Sequence, residues 1–349
     1  MSANTLGSSV DQTGRVFRRR GLTVTALLRL LPLLVVPVGQ GVTAAEPFRI
    51  ALPLDCEVGR TCYLQSTPDL DSGSGVADSY CGSASYEGHE GTDIRVPSMK
   101  DAMGTAVLAP AAGTVLRARD GEPDVLVETS DARAAVRDRE CGNGLVIDHG
   151  AGWQTQLCHL ARGSLLVQPG EPVDTGDPVG RVGASGLTQF PHVHISVRKE
   201  GVELDPATGR PLSEPCADGG APLWDVDLAG RLAASRTAVI GIGLAAGPVD
   251  AASLRAQGPP PSPERDSRAT VLWGWAINLE AGDQLMLRLE GPEGPFSDHK
   301  GEPLDRSKAD YVGYAGRRRQ PVPGAWSGTV TIVRDGQPFA TRTELFTVR

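Results

Sequence analysis

The chain is short of aromatic residues, 5% of its 349 positions, and beyond its N-terminal region it has no apolar run long enough to span a bilayer. It lacks a CxxC pair, and its only dense basic runs are residues 18–20 and 317–319. Few stretches carry the 3.6-residue period of an amphipathic helix, which argues against a helical bundle. The net charge of -8 argues against a nucleic-acid partner, because phosphate binding needs clustered Lys and Arg. What is abundant is Gly, at 43, and Pro, at 27, a composition that suits a turn-rich β protein.

Residues 21–38 read GLTVTALLRLLPLLVVPV after three arginines, and small residues follow up to Ala45. A charged start, an apolar middle and a small-residue end make a secretory signal, so residues 1–45 are expected to be removed on export to the periplasm or cell envelope. A retained N-terminal anchor, with transient membrane association, is the alternative. Six cysteines, an even number in an exported chain, favour disulfides over thiolate metal ligands. Cys141 and Cys158 flank two runs joined by a Gly-Ala-Gly turn, and a hairpin would bring them together.

Residues 46–84 are rich in Asp, Ser and Gly and read as a disulfide-tied lead-in. From there the runs TAVLAP, GTVLRAR, DVLVETS, GLVIDHG, WQTQLCHL, DPVGRVG and HVHISVRK are short, rich in β-branched residues and bounded by turn formers. They predict successive strands of an antiparallel sheet within residues 85–216. Further runs, from TAVIGIGLA to ELFTVR, predict an accessory β-sandwich over residues 228–349 with a Pro-rich loop at 257–266. The fold class is therefore mainly β, an antiparallel core followed by a sandwich-like domain. Trp273 and Trp275 alternate onto one strand face and read as core.

The chemistry concentrates in His89-Glu90-Gly91-Thr92-Asp93 and the distant His192-Val193-His194. Strand side chains alternate, so the two imidazoles of HVH share a face, and His89 and Asp93, four apart, can also share one. Two imidazoles and one carboxylate suit Zn2+, which at catalytic sites takes three protein ligands and keeps a fourth position for water. His159 and His192 are suited to move the proton of an attacking water and to stabilise an oxyanion near neutral pH. Glu90 points away from this face, His149 reads as a structural turn residue, and His299 stands without partners.

The order HEGTD, then CGNGLVIDHGAGWQTQLCHL, then VDTGDPVGRVGASGLTQFPHVHISVR resembles the lysostaphin/LytM-type zinc endopeptidases across residues 85–206. The resemblance implies a mostly antiparallel β core with an open groove and cleavage of peptide bonds in peptidoglycan. It makes His89, Asp93 and His194 the metal ligands and His159 and His192 the catalytic imidazoles. Asn143 and Ser185 fall where the family lines its substrate groove. The departures are Leu157 in place of the usual Tyr, Gln189-Phe190 in place of Thr-Gly, Ser196 where Phe or Glu is common, and an added stretch at 122–139. A non-catalytic relative that binds and regulates another wall hydrolase is the alternative, and the intact histidines and aspartate count against it.

Overall fold

A computed structural model describes residues 47–349; the expected signal or anchor lies outside them. The first half of this chain is built around one large antiparallel sheet. Its elements run β1 (Tyr63–Ser66), β2 (Thr92–Arg95), α1 (Met99–Ala102), β3 (Ala106–Leu108), β4 (Gly113–Arg119) and α2 (Ser130–Ala135). They continue with β5 (Asn143–Gly150), β6 (Trp153–Leu160), β7 (Pro172–Val173), β8 (Pro178–Arg181), β9 (His192–Lys199) and β10 (Val202–Leu204). The strand order is β1-β2-β9-β6-β5-β4-β7, with β10 on β9, while β3 and β8 form a separate pair.

Strand β9 shows why the sheet has one apolar and one reactive face. Val193, Ile195 and Val197 are buried in the core with Ile94, Leu145, Ile147 and Leu157. Each such side chain contributes about 1.5–3 kcal/mol by leaving water. His192, His194 and Ser196 necessarily project from the other side. A register slip of one residue would exchange the two sets, so the core fixes where the histidines point.

The lead-in does more than tie down the chain, because its residues 63–66 supply the edge strand β1. Three disulfides, Cys56–Cys62, Cys81–Cys216 and Cys141–Cys158, use all six cysteines. The third is the bridge expected across the β5–β6 hairpin. DVLVETS, by contrast, is not a ladder strand. Its residues Val125 and Val127 donate only to the carbonyls of Ala184 and Thr188, and Thr129 then caps α2. The Asp124 carboxylate accepts from the backbone of Ala184 and Arg162, so this segment straps a loop instead of pairing along a strand.

The remaining residues form α3 (Val226–Ala234), β11 (Ala238–Ala245), α4 (Ala251–Gln257), β12 (Thr270–Leu279) and β13 (Gln284–Gly291). These are followed by β14 (Gly294–Lys300), β15 (Lys308–Arg317), β16 (Gly324–Arg334) and β17 (Gln337–Val348). Two antiparallel sheets result, β11-β12-β15 and β14-β13-β16-β17. Leu272, Leu287, Trp326, Val330 and Ile332 fill the space between them, as a sandwich requires. Trp273 and Trp275 are buried as expected, but on the outer face of the three-stranded sheet, in a cluster that includes Tyr63 of β1. The described residues form a single compact unit. No helix among them is long and apolar enough to cross a membrane.

Candidate metal centre

Antiparallel pairing of β2 with β9 sets Asp93 directly opposite His194 and Arg95 opposite His192. His89 arrives from the turn before β2, with its backbone N–H donating to the Tyr86 carbonyl. Three atoms converge: Asp93 Oδ1 lies 3.1 Å from His89 Nε2 and 2.9 Å from His194 Nδ1, and the two nitrogens are 3.1 Å apart. Among the described residues this is the one group of His, Cys, Asp or Glu side chains close enough to share a metal ion.

The donor set fits a small divalent cation. Three lone-pair atoms at this spacing are those of ligands that share one ion at about 2.0–2.2 Å. Asp93 Oδ2 is buried without a hydrogen-bond partner, an orphaned charge-bearing oxygen. Burial opposes the charge of the Asp93 carboxyl, but the imidazoles of His89 and His192 outweigh it and hold the group well below the usual carboxylate range. As a result the carboxylate is available as an anionic ligand at neutral pH.

Each ring is oriented by a contact on its far side. His89 Nδ1 donates to the Thr67 carbonyl at 2.8 Å, which leaves Nε2 free to face the cluster. His194 presents Nδ1 and places Nε2 3.0 Å from Ser196 Oγ. Such outer partners fix tautomer and ring orientation in metal sites. Gly91 is required by the same packing, since a Cβ there would lie 2.4 Å from His194 Nε2 and 2.7 Å from the Ile195 carbonyl oxygen.

His159 and His192 stand beside the cluster, with ring centroids 4.6 Å apart. His159 Nδ1 donates to the Ser185 carbonyl at 2.8 Å, so its Nε2 keeps a lone pair. Burial, followed by the neighbouring imidazoles of His192 and His194, holds its pKa well below the ordinary histidine value. Its backbone is strained, with φ at 65°, and this end of β6 is pinned by hydrogen bonds to Cys141 and from Gly183. His192 Nδ1 is 2.8 Å from the Phe190 carbonyl and 2.9 Å from Thr188 Oγ1, and its Nε2 is 3.4 Å from Asp93 Oδ1.

Asn143 and Ser185 are fully buried, and their polar atoms are already engaged. The Asn143 amide donates to the carbonyls of Glu122 and Leu160 and accepts from the Glu122 N–H. Ser185 Oγ donates to the Leu160 carbonyl and accepts from the Asn143 N–H. Their side chains therefore brace the loops and have no free group to offer a groove. Glu90 is exposed, and His149 is held between the Ala112 carbonyl and Thr155 Oγ1. One neighbour escaped the sequence reading: the half-exposed Tyr86 ring stacks on His89 at 4.3 Å. An aromatic three residues before the first histidine was the available signal.

His89, Asp93 and His194 form a candidate metal centre on a mainly β fold. Residues 87–206 match the model of Peptidase family M23. An uncharacterized metalloprotease of Haemophilus influenzae is 28% identical over 120 residues, covering 34% of this chain and 20% of that protein. The chain thus spans about a fifth of the length of the curated relative it matches. Among solved structures it is similar to the catalytic domain of a prophage-encoded protein, EnpA from Enterococcus faecalis. That match has 20% identity and a TM-score of 0.29, covering 42% of this chain and 90% of that one. It is also similar to the catalytic domain of lysostaphin from Staphylococcus simulans, with 18% identity and a TM-score of 0.25, covering 34% of this chain and 76% of that one.

Proposed function

We propose that this chain is an exported zinc endopeptidase that hydrolyses peptide bonds in bacterial peptidoglycan. The observation that carries the reading is the convergence of Asp93 Oδ1, His89 Nε2 and His194 Nδ1 to within 3.1 Å of one another, beside two further oriented imidazoles. Three disulfides fit an oxidising compartment outside the cytoplasm.

His89, Asp93 and His194 are the residues that would hold the ion. Zinc bound there supplies a Lewis acid that acidifies a water and polarises the scissile carbonyl. His159, neutral and anchored through Nδ1, takes a proton from the attacking water at Nε2 and returns it to the departing amine. His192, held through its Nδ1–H on the Phe190 carbonyl, donates from Nε2 to the oxyanion that develops on the carbonyl oxygen when both ring nitrogens carry a proton. Asn143 and Ser185 keep the loops that carry His159 in place. Tyr86 forms part of the wall next to His89.

Digestion of purified peptidoglycan, with the soluble products read by mass spectrometry, tests the reading and identifies the bond. New amino and carboxyl termini in stem peptides or cross-links are expected. A zinc-loaded protein that binds the wall and releases nothing would favour a non-catalytic regulator of another hydrolase.

A further inference from the structure

Arg95 has the burial of a core residue and the chemistry of a surface one. It is fully buried and makes no salt bridge among the described residues, although the Asp310 carboxylate acts on it electrostatically. Its Nη1 donates to Gln65 Oε1 at 2.8 Å, and its Nε has no partner. A charge taken out of water in this way is costly, and a well-packed apolar side chain would stabilise the fold at least as well. The residue therefore calls for a role other than stability.

Its neighbours indicate what that role is. The guanidinium carbon lies 4.9 Å from the Phe190 ring centroid and 5.1 Å from that of Trp275, in β12. Cation–π contacts of this kind strengthen when desolvated. Gln65, which positions the guanidinium, is itself gripped from the second half of the chain. Its amide donates to Asn278 Oδ1 and the Ala309 carbonyl, and Asn278 Nδ2 donates to the Gln65 carbonyl at 2.7 Å. The Phe190 ring in turn lies tilted 4.5 Å from the His192 ring, and its carbonyl oxygen receives both Thr188 Oγ1 and His192 Nδ1. The contacts thus run from Trp275 and Asn278 through Arg95 to Phe190 and end on His192.

We propose that Arg95 is a positioning residue, held against Trp275 and Phe190, through which the C-terminal sandwich fixes the ring of His192. The inference rests on the reading of His192 as a catalytic imidazole. It makes the sandwich a constituent of the active centre and not a detachable accessory.

The test compares Arg95→Met, Arg95→Lys and Trp275→Leu with wild type in the full chain, loaded with zinc and given soluble peptidoglycan fragments. Metal content stays unchanged. The expected result is a fall in kcat on the order of 10- to 100-fold with KM within about threefold, since displaced catalytic groups cost rate more than binding. Arg95→Lys recovers part of the loss, because the cation returns without the fork to Gln65. Phe190→Leu, at a partly exposed position, gives the same split and covers the case in which the buried variants fail to fold. Nitrogen-15 histidine spectra supply a readout independent of turnover: His192 is fixed with its proton on Nδ1 in wild type and averages between tautomers in the variants. Unchanged kcat with an unchanged His192 signal overturns the inference. A wild type that cleaves nothing would sink the endopeptidase reading instead, and the tautomer comparison would still decide the clamp.

Discussion

His194 Nε2 and Ser196 Oγ, two residues apart on the reactive face of β9, lie 3.0 Å from each other. Ser196 is one of the positions where the chain departs from the family's usual pattern, and the departure has a use: the hydroxyl accepts the Nε2 proton and leaves Nδ1 facing Asp93. Replacing it with Ala removes that partner while leaving all three ligands in place. Ser196→Ala is expected to weaken zinc binding by about 10- to 100-fold, measured by competition with a chelator. Affinity equal to wild type would mean that packing alone orients the ring.

His159→Ala is expected to retain the metal and lose kcat by on the order of 10²–10⁴-fold. The depressed pKa of His159 also sets the sign of the pH response. A base works when neutral, and burial keeps this imidazole neutral at pH values below its ordinary range. The acid limb of the wild-type rate profile should therefore fall below the usual imidazole value of about 6.5, with activity lost as pH drops through it. An acid limb above that value would contradict the assignment.

Asn143 separates a framework role from a groove role. Asn143→Ala leaves the Glu122 N–H without its acceptor and removes the amide donor from the Glu122 and Leu160 carbonyls, the latter keeping Ser185 Oγ. A loss of about 2–3 kcal/mol of stability is expected, read from the denaturant midpoint, with KM nearly unchanged. A higher KM at unaltered stability would return Asn143 to the substrate groove.

Much of the site was readable in advance because it depends on short-range periodicity. HVH on a strand must present two imidazoles to one side, and HxxxD brings its pair to the same place. The Cys141–Cys158 bridge follows from hairpin geometry in the same way. The Gln65–Asn278 contact joins residues 213 positions apart, and no local pattern announces it. The clamp on Arg95 was hidden for the same reason. DVLVETS has the composition of a strand, but Asp124 spends its carboxylate on two loop amides, and that tertiary demand overrides local propensity.

Gly91 offers a steric test of the centre. Gly91→Ala would drive a methyl group against His194 and the Ile195 carbonyl, and the backbone oxygen cannot swing aside. Loss of bound zinc with the rest of the sheet intact is expected, measured by elemental analysis beside circular dichroism. Full metal occupancy in this variant would show that His194 sits elsewhere when the ion is bound.

The most direct measurement is the metal content of the full chain, prepared without added chelator, with His194→Ala as its partner. The account predicts about one zinc per chain in wild type and a large loss in the variant, together with loss of peptide-bond cleavage. Wild-type protein that holds no metal after zinc is supplied, or a variant that holds it as well as wild type, would contradict it.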